Sequence, residues 1–469
     1  MEILAYGLVG LPFVMALVLG LAIPMLILQL YRSVGFGIGM TAALFTFEAL
    51  VPGFEGIQLG VRLYVPDLVT LLLGSTALLR FLSQRVARPR LLAWYVFVGA
   101  VFLSLGIGLS IFGTTAGVGA RPYFYAVVIT SYCLTFPGDL KMVRQLMTAL
   151  AWVAVTLSAL VVARWVITFV PITDLLPESG QFSSSEASLL RVISSQHAMI
   201  LAQLFVVCLF YPLVAPVLRW LRPMLPLLLI LVVSLQHRSV WLATMSAIGT
   251  RFALPEAGRK ATGQLLVLAA VVLAVAVPVV FSGKLGGAAG DISQSASRAV
   301  ALTDTADARL GSWDFMLRKW VAGGPRAVAI GLPMGTTAER KLLTDSGKYA
   351  SLNFQAHNYF VQTVFNTGLL GVLSSVLVYL WIFLWLYRGV KDAEFGAASG
   401  VMLLLTTAQV VYYVFYGVDY FQALILGVAG ALALTLRGRH QAASLTAKLP
   451  DTRGARPLPR PIVSSARRY

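Results

Sequence analysis

Four residues of this chain have the chemistry for a reaction site, and each stands at the edge of an apolar run. Arg238 lies in SLQHRSVWLA, Arg309 in ARLGSWDFML, His357 in FQAHNYFVQTVFNTGLLG and Arg191 in SLLRVISSQH. An ionisable group beside a membrane is costly unless it has a partner or a task. Guanidinium groups grip phosphate oxygens in pairs and never deprotonate, so two or three of them make a diphosphate clamp. A neutral histidine beside that clamp can take a proton from a hydroxyl, with the neighbouring cations holding its pKa down. The set suits attack by a hydroxyl on a sugar carbon whose leaving group is a lipid diphosphate. The arginines would stabilise the charge growing on that group in the transition state.

Each residue also has a plainer explanation. Arg191 could snorkel to lipid headgroups. Arg309 could pair with Asp307, and His357 could act with Asn358 as a helix cap. His197 and His237 could equally fill the interface, and His440 falls in the tail. Taken together, three arginines and a histidine on one face are harder to dismiss. No metal is expected: Asp291, Asp304, Asp307 and Asp314 form no DxD pair, and no cluster has ligand spacing. No organic cofactor is expected either. Glu55 and Asp67 flank an early loop, where a surface role suits them better than that of a base. GLPMGTTAERK lacks the spacing of a phosphate-binding loop. Gly331 and Gly335 suit turns in the long loop, and Gly368 and Gly371 close helix packing.

The elements that must position these residues are membrane helices. The 469 residues are 58% hydrophobic and only 12% charged, with a mean hydropathy of +0.82. Apolar runs long enough to span a bilayer recur from end to end, which excludes a soluble enzyme with a membrane anchor, a disordered binder and a disulfide-stapled secreted module. The runs do not alternate as barrel strands would. Helices are predicted over 3–30 (one long helix or two short ones broken near Gly20 or Pro24), 35–52, 66–82, 91–112, 122–136, 145–170, 198–218, 224–235, 239–250, 261–281, 358–387, 397–415 and 421–436. Cys133 and Cys208 sit inside such runs and form neither a disulfide framework nor a metal site.

The 36 Lys and Arg outnumber the 19 Asp and Glu, a net charge of +17. In a membrane protein that excess marks cytoplasmic loops rather than nucleic-acid binding. Basic clusters at 85–90, 219–222, 251–260 and from Arg437 onward then share one side, with the C-terminus cytoplasmic. The 224–250 run must be a hairpin of two short helices with Gln236-His237-Arg238-Ser239 at its outer tip. Residues 1–436 form the membrane domain, 282–357 one long outer loop within it, and 437–469 a basic, disordered tail at the membrane surface. Within the loop, Trp313 to Trp320 has spacing suited to a helix lying on the membrane.

The order of these features resembles the bacterial O-antigen ligase and O-antigen (exopolysaccharide) polymerase superfamily. The likeness covers about residues 190 to 390: an arginine at a hairpin tip, Arg309-x-x-x-Trp313 in a long loop, GLPMG, then His357-Asn358-Tyr359 running into Thr367-Gly368-Leu369-Leu370-Gly371. It implies an all-α polytopic membrane protein of about 12 to 14 transmembrane helices, GT-C-like, with one large periplasmic loop. It also implies a metal-independent inverting glycosyltransferase of the inner membrane, taking a glycan from undecaprenyl diphosphate on the periplasmic face. Arg238 and Arg309 match the family's diphosphate-binding arginines and His357 its catalytic histidine, with Arg191 a third basic contact. Many ligases carry Ser-Arg-Gly at the tip, whereas this chain has His237-Arg238-Ser239. That leans toward a polymerase joining repeat units, with transfer to lipid A–core as the alternative. A lipid-linked sugar flippase is the rival class; its ionisable groups would line a path near the bilayer midplane.

Overall fold

The computed structural model describes residues 22–51, 57–59, 61–83, 91–169, 191–254, 263, 305–343, 349–353 and 356–448. The predicted 261–281 helix, most of the 3–30 run, loop residues 282–304, Glu55 and the tail beyond Lys448 lie outside them. Helices α1 (Ala22–Arg32) and α2 (Val34–Leu50) meet at a bend of 116°. The bend is at Ser33, between the predicted 3–30 and 35–52 helices, where the serine hydroxyl accepts the Phe36 N–H and caps α2. Helix α1 runs unbroken through Pro24, and Gly20 lies outside the described residues. A small hairpin, β1 (Ile57–Leu59) and β2 (Val61–Leu63), leads to α3 (Val65–Ser83). Next come α4 (Leu92–Phe112), α5 (Thr114–Leu134) and α6 (Leu140–Phe169). Shorter helices follow: α7 (Ser195–Phe210), α8 (Pro216–Leu221), α9 (Leu225–Ser234) and α10 (Arg238–Ala253). The loop contributes α11 (Thr305–Ala322), α12 (Gly324–Ile330) and the hairpin β3 (Glu339–Leu343) with β4 (Tyr349–Asn353). The chain then runs through α13 (Tyr359–Gly389), α14 (Gly396–Tyr413) and α15 (Tyr420–Lys448).

Among the described residues seven helices are long and apolar enough to cross a membrane, or eight if the bent pair α1 and α2 counts as one span. The chain is a helical, multi-pass membrane protein. Its helices are apolar on both faces for that reason. Leu373, Leu377, Leu380 and Leu384 of α13 point outward at helical spacing, as a lipid-facing stripe does. Inward contacts use small residues: Gly427 of α15 packs on Cys133 of α5, and Gly138 lies on the Ala431 backbone. Buried amides pair with each other, Gln203 with Gln422 at 2.8 and 3.0 Å, so neither is left unsatisfied in an apolar interior.

Two features of this packing position the site. The Thr130 hydroxyl donates to the Ala423 carbonyl (3.0 Å), and Cys133 stands beside Gly427, so α5 and α15 run parallel. At 1.5 Å per residue, α5 continues roughly 20 Å past the start of α15. The α4–α5 hairpin therefore forms a wall above the ends of α14 and α15.

The second feature is a reversal inside α13. Gly368 has φ 64° and ψ −165°, and the Tyr359 hydroxyl lies 2.6 Å from that of Ser375, sixteen residues on. A continuous helix would hold them roughly 24 Å apart. The 359–367 segment thus folds back along 369–389 as a half-helix, with its N-terminus drawn into the bundle. The sequence predicts Gly368 as a packing glycine within one helix. Its positive φ and its contacts with the backbone of Ala329 and Gly331 make it a turn instead.

Two further expectations change. Trp313 to Trp320 is helical, but its apolar side is buried in protein: Met316 and Phe365 form a small core with Trp313, Trp320, Leu332 and Val361 against it. Residues 437–448, assigned to a disordered tail, continue α15.

Candidate functional site

The site grows from two anchors in the loop. The Trp313 indole N–H donates to the Ala356 carbonyl (2.5 Å), fixing the backbone just before His357. Asn358 on the other side caps the half-helix, accepting the N–H groups of Phe360 and Val361 at 2.9 and 3.0 Å. The cap is Asn358 alone, so capping does not account for the histidine. His357 is held between these anchors at φ 42°, partly open to solvent and partly covered. Arg309 lies one helical turn before Trp313 and shares its face. Burial, and behind it the Arg309 charge, holds the His357 imidazole below its ordinary value. His357 and Arg309 are therefore neighbours.

The hairpin tip supplies the other side. Helices α9 and α10 meet at residues 235–237, within the run 224–250 expected to hold two short helices. Arg191 donates from Nη2 to the Gln236 carbonyl (2.9 Å), and His237 Nε2 lies 3.0 Å from the Ile193 carbonyl. These reciprocal contacts tie the 191–193 segment to the tip and leave Arg238 and Ser239 opening α10. Burial, then the Arg191 charge, pushes the His237 imidazole down to about 4. Among the described residues, Gln236 (φ 54°) and His357 are the two non-glycines with positive φ. Such conformations cost about 1–3 kcal/mol and gather where geometry matters to function.

Tyr416 joins the two halves. It lies in the connection between α14 and α15, stacked on Tyr412 at 4.8 Å, with the Arg309 guanidinium 5.3 Å from its ring centre. Burial opposes ionisation of its phenol. The nearby Ser195 hydroxyl, the Arg309 charge and the Ser239 hydroxyl outweigh burial, so the phenol lies below its ordinary value. A chain of contacts thus runs from Arg191 through the hairpin tip and Ser239 to Tyr416, Arg309 and His357. Arg191, Arg309 and His357 fall within it, and Arg238 stands beside it as the first residue of α10.

Sequence reasoning passed over Tyr416, because a tyrosine in VYYVFYG reads as one more interfacial aromatic. It also passed over Asp419, which is buried immediately before the first residue of α15. There its Oδ1 accepts the Gln422 N–H at 2.8 Å, while Oδ2 finds no partner among the described residues. Burial pushes its carboxyl up to about 7, against the hydrogen bonds from Gln422 and Phe421. Glu48 stands next to it, accepting the Tyr420 hydroxyl at 2.5 Å. By contrast Asp67 is fully engaged, accepting the Tyr64 N–H (2.8 Å) and the Tyr125 hydroxyl (2.6 Å) beside Arg121. His197 packs edge-on against Phe45 and lies 2.7 Å from the Ser194 hydroxyl, as an interfacial filler would.

The arrangement can bind an anion and move a proton. Helices α7, α10, the 359–367 half-helix and α15 all begin at this end, presenting the positive ends of their dipoles. No protein-family model matches the chain, and no curated protein matches its sequence.

Proposed function

We propose that the chain is a glycosyltransferase of the O-antigen ligase and polymerase kind, working at the periplasmic face of a bacterial inner membrane. Its donor is a glycan on undecaprenyl diphosphate, and its reaction is the polymerisation of O-antigen or exopolysaccharide repeat units. On this reading the bundle is GT-C-like with about 12 to 14 spans. The long loop is periplasmic and the C-terminus cytoplasmic. The observation that carries the reading is the adjacency of His357 and Arg309 across from the Arg191–Arg238 hairpin tip, at an end where several helices begin.

Arg238, Arg309 and Arg191 hold the donor diphosphate and stabilise charge on it as the glycosidic bond breaks. His357, neutral because burial and Arg309 depress its pKa, takes the proton of the acceptor hydroxyl. A single attack opposite the leaving group inverts the anomeric centre. No metal or cofactor takes part. A flippase is less well supported, because the basic groups collect at one end of the bundle instead of lining a path through it.

The test is to delete the gene and size the lipid-linked glycans of the source cell. Accumulated single repeat units on the carrier make the protein a polymerase. Long carrier-linked chains that never reach lipid A–core make it a ligase. Intact glycan retained on the cytoplasmic side would overturn the transferase reading in favour of transport.

A further inference from the structure

At the opposite end of the bundle, where α13 turns into α14, an open cavity of about 420 Å³ is lined by Tyr387, Arg388, Lys391 and His440. Its lining carries an arginine and a lysine and no acid. The nearest carboxylates are already taken: Arg439 pairs with Glu394 at 2.7 Å and with Asp392 at 3.9 Å. Arg388 and Lys391 have no carboxylate partner among the described residues, and Arg388 rests on the Trp385 ring, 4.9 Å from its centre. The His440 ring stands edge-on to the same indole at 5.9 Å.

What leads into the cavity identifies the ligand. Leu373, Leu377, Leu380 and Leu384 continue at the same helical spacing to Tyr387, all of them exposed on one stripe of α13. An acyl chain lying along that stripe would deliver its head group to Arg388 and Lys391. Trp385 and Tyr387 are the residue types that mark the level of lipid head groups. Basic pockets between spanning helices recognise lipid phosphates by this means.

We propose that the cavity between the ends of α13 and α15 binds a phosphate group, carried by an anionic phospholipid whose acyl chains lie along the leucine stripe of α13. Arg388 and Lys391 supply the charge, Trp385 orients the guanidinium, and the site is separate from the His357 end and independent of the reaction there.

The test uses the purified full chain in a neutral detergent, with phosphatidylglycerol, phosphatidylcholine or inorganic phosphate added and retained lipid counted by native mass spectrometry. Phosphatidylglycerol should be retained in preference to phosphatidylcholine, and by ~10- to 30-fold less in the Arg388→Ala/Lys391→Ala variant, as expected for two surface cations. Arg318→Ala removes an exposed charge elsewhere and should leave retention unchanged. Equal retention by the double variant, equal retention of the two lipids, or inorganic phosphate binding as tightly as the lipid would overturn the proposal. A melting temperature of the double variant in phosphatidylcholine matching wild type shows that any loss is not unfolding.

Discussion

The hydroxyls of Tyr359 and Ser375 lie 2.6 Å apart across the reversal at Gly368, and this contact sets where His357 stands. It holds the half-helix against the rest of α13, so the two residues before it are carried into the bundle beside Arg309.

Gly368→Ala should therefore damage the site from a distance. An alanine at φ 64° is strained, and its Cβ would run into the backbone of Ala329 and Gly331. A loss of about 2 kcal/mol or more is expected, with transfer falling in parallel. Thermal unfolding and transfer assays check it, and an unaltered melting temperature would speak against the reversal.

The pH profile tests the His357–Arg309 pair. As a base His357 works neutral, and its depressed pKa keeps it neutral to below its ordinary range of about 6.5. Transfer should hold as pH falls through 6.5 and decline only at lower pH. Arg309→Gln removes a charge that lowers that pKa, so the acid limb of its residual activity should move upward. A limb that stays in place would separate the two residues.

Tyr416→Phe keeps the stacking on Tyr412 and the ring beside Arg309 but loses the hydroxyl that faces Ser195, Ser239 and Arg309. A polar group beside a charged one contributes about 1–2 kcal/mol, so a rate loss of ~5- to 30-fold is expected. The protein should still fold. Wild-type turnover in this variant would reduce Tyr416 to packing.

His237 makes a prediction about stability. Its folded pKa is about 4, well below its unfolded value, so the native state binds fewer protons than the unfolded one. Its contribution is present above pH 6.5 and lost as pH falls toward 4, amounting to about 3 kcal/mol in all. Melting temperature measured across that window should fall with acid, and His237→Asn should flatten the slope. An identical slope in the variant would contradict this account.

The helices were legible because lipid on one side and protein on the other both favour apolar residues, leaving long unbroken runs. The hairpin at 235–237 followed from charge placement. Residues that charge alone makes costly near a membrane, such as Arg191, Arg238, Arg309 and His357, could also be picked out. The reversal at Gly368 was not legible, because a glycine that packs and a glycine that turns look alike until φ is known. Tyr416 and Asp419 were missed for a related reason: their significance lies in partners more than a hundred residues away, Ser195, Ser239 and Arg309 for Tyr416 and Glu48 for Asp419. The apolar face of α11 was visible, but spacing alone could not say whether lipid or the 359–367 half-helix covers it.

The most direct measurement reconstitutes the purified chain in vesicles with a diphosphate-linked glycan donor and follows product length and released undecaprenyl diphosphate together, with chelator present. The account predicts that the two rise in step for the wild type and that neither rises for His357→Ala, which remains folded and inserted. Release by that variant at the wild-type rate, or no release by the wild type, would contradict it.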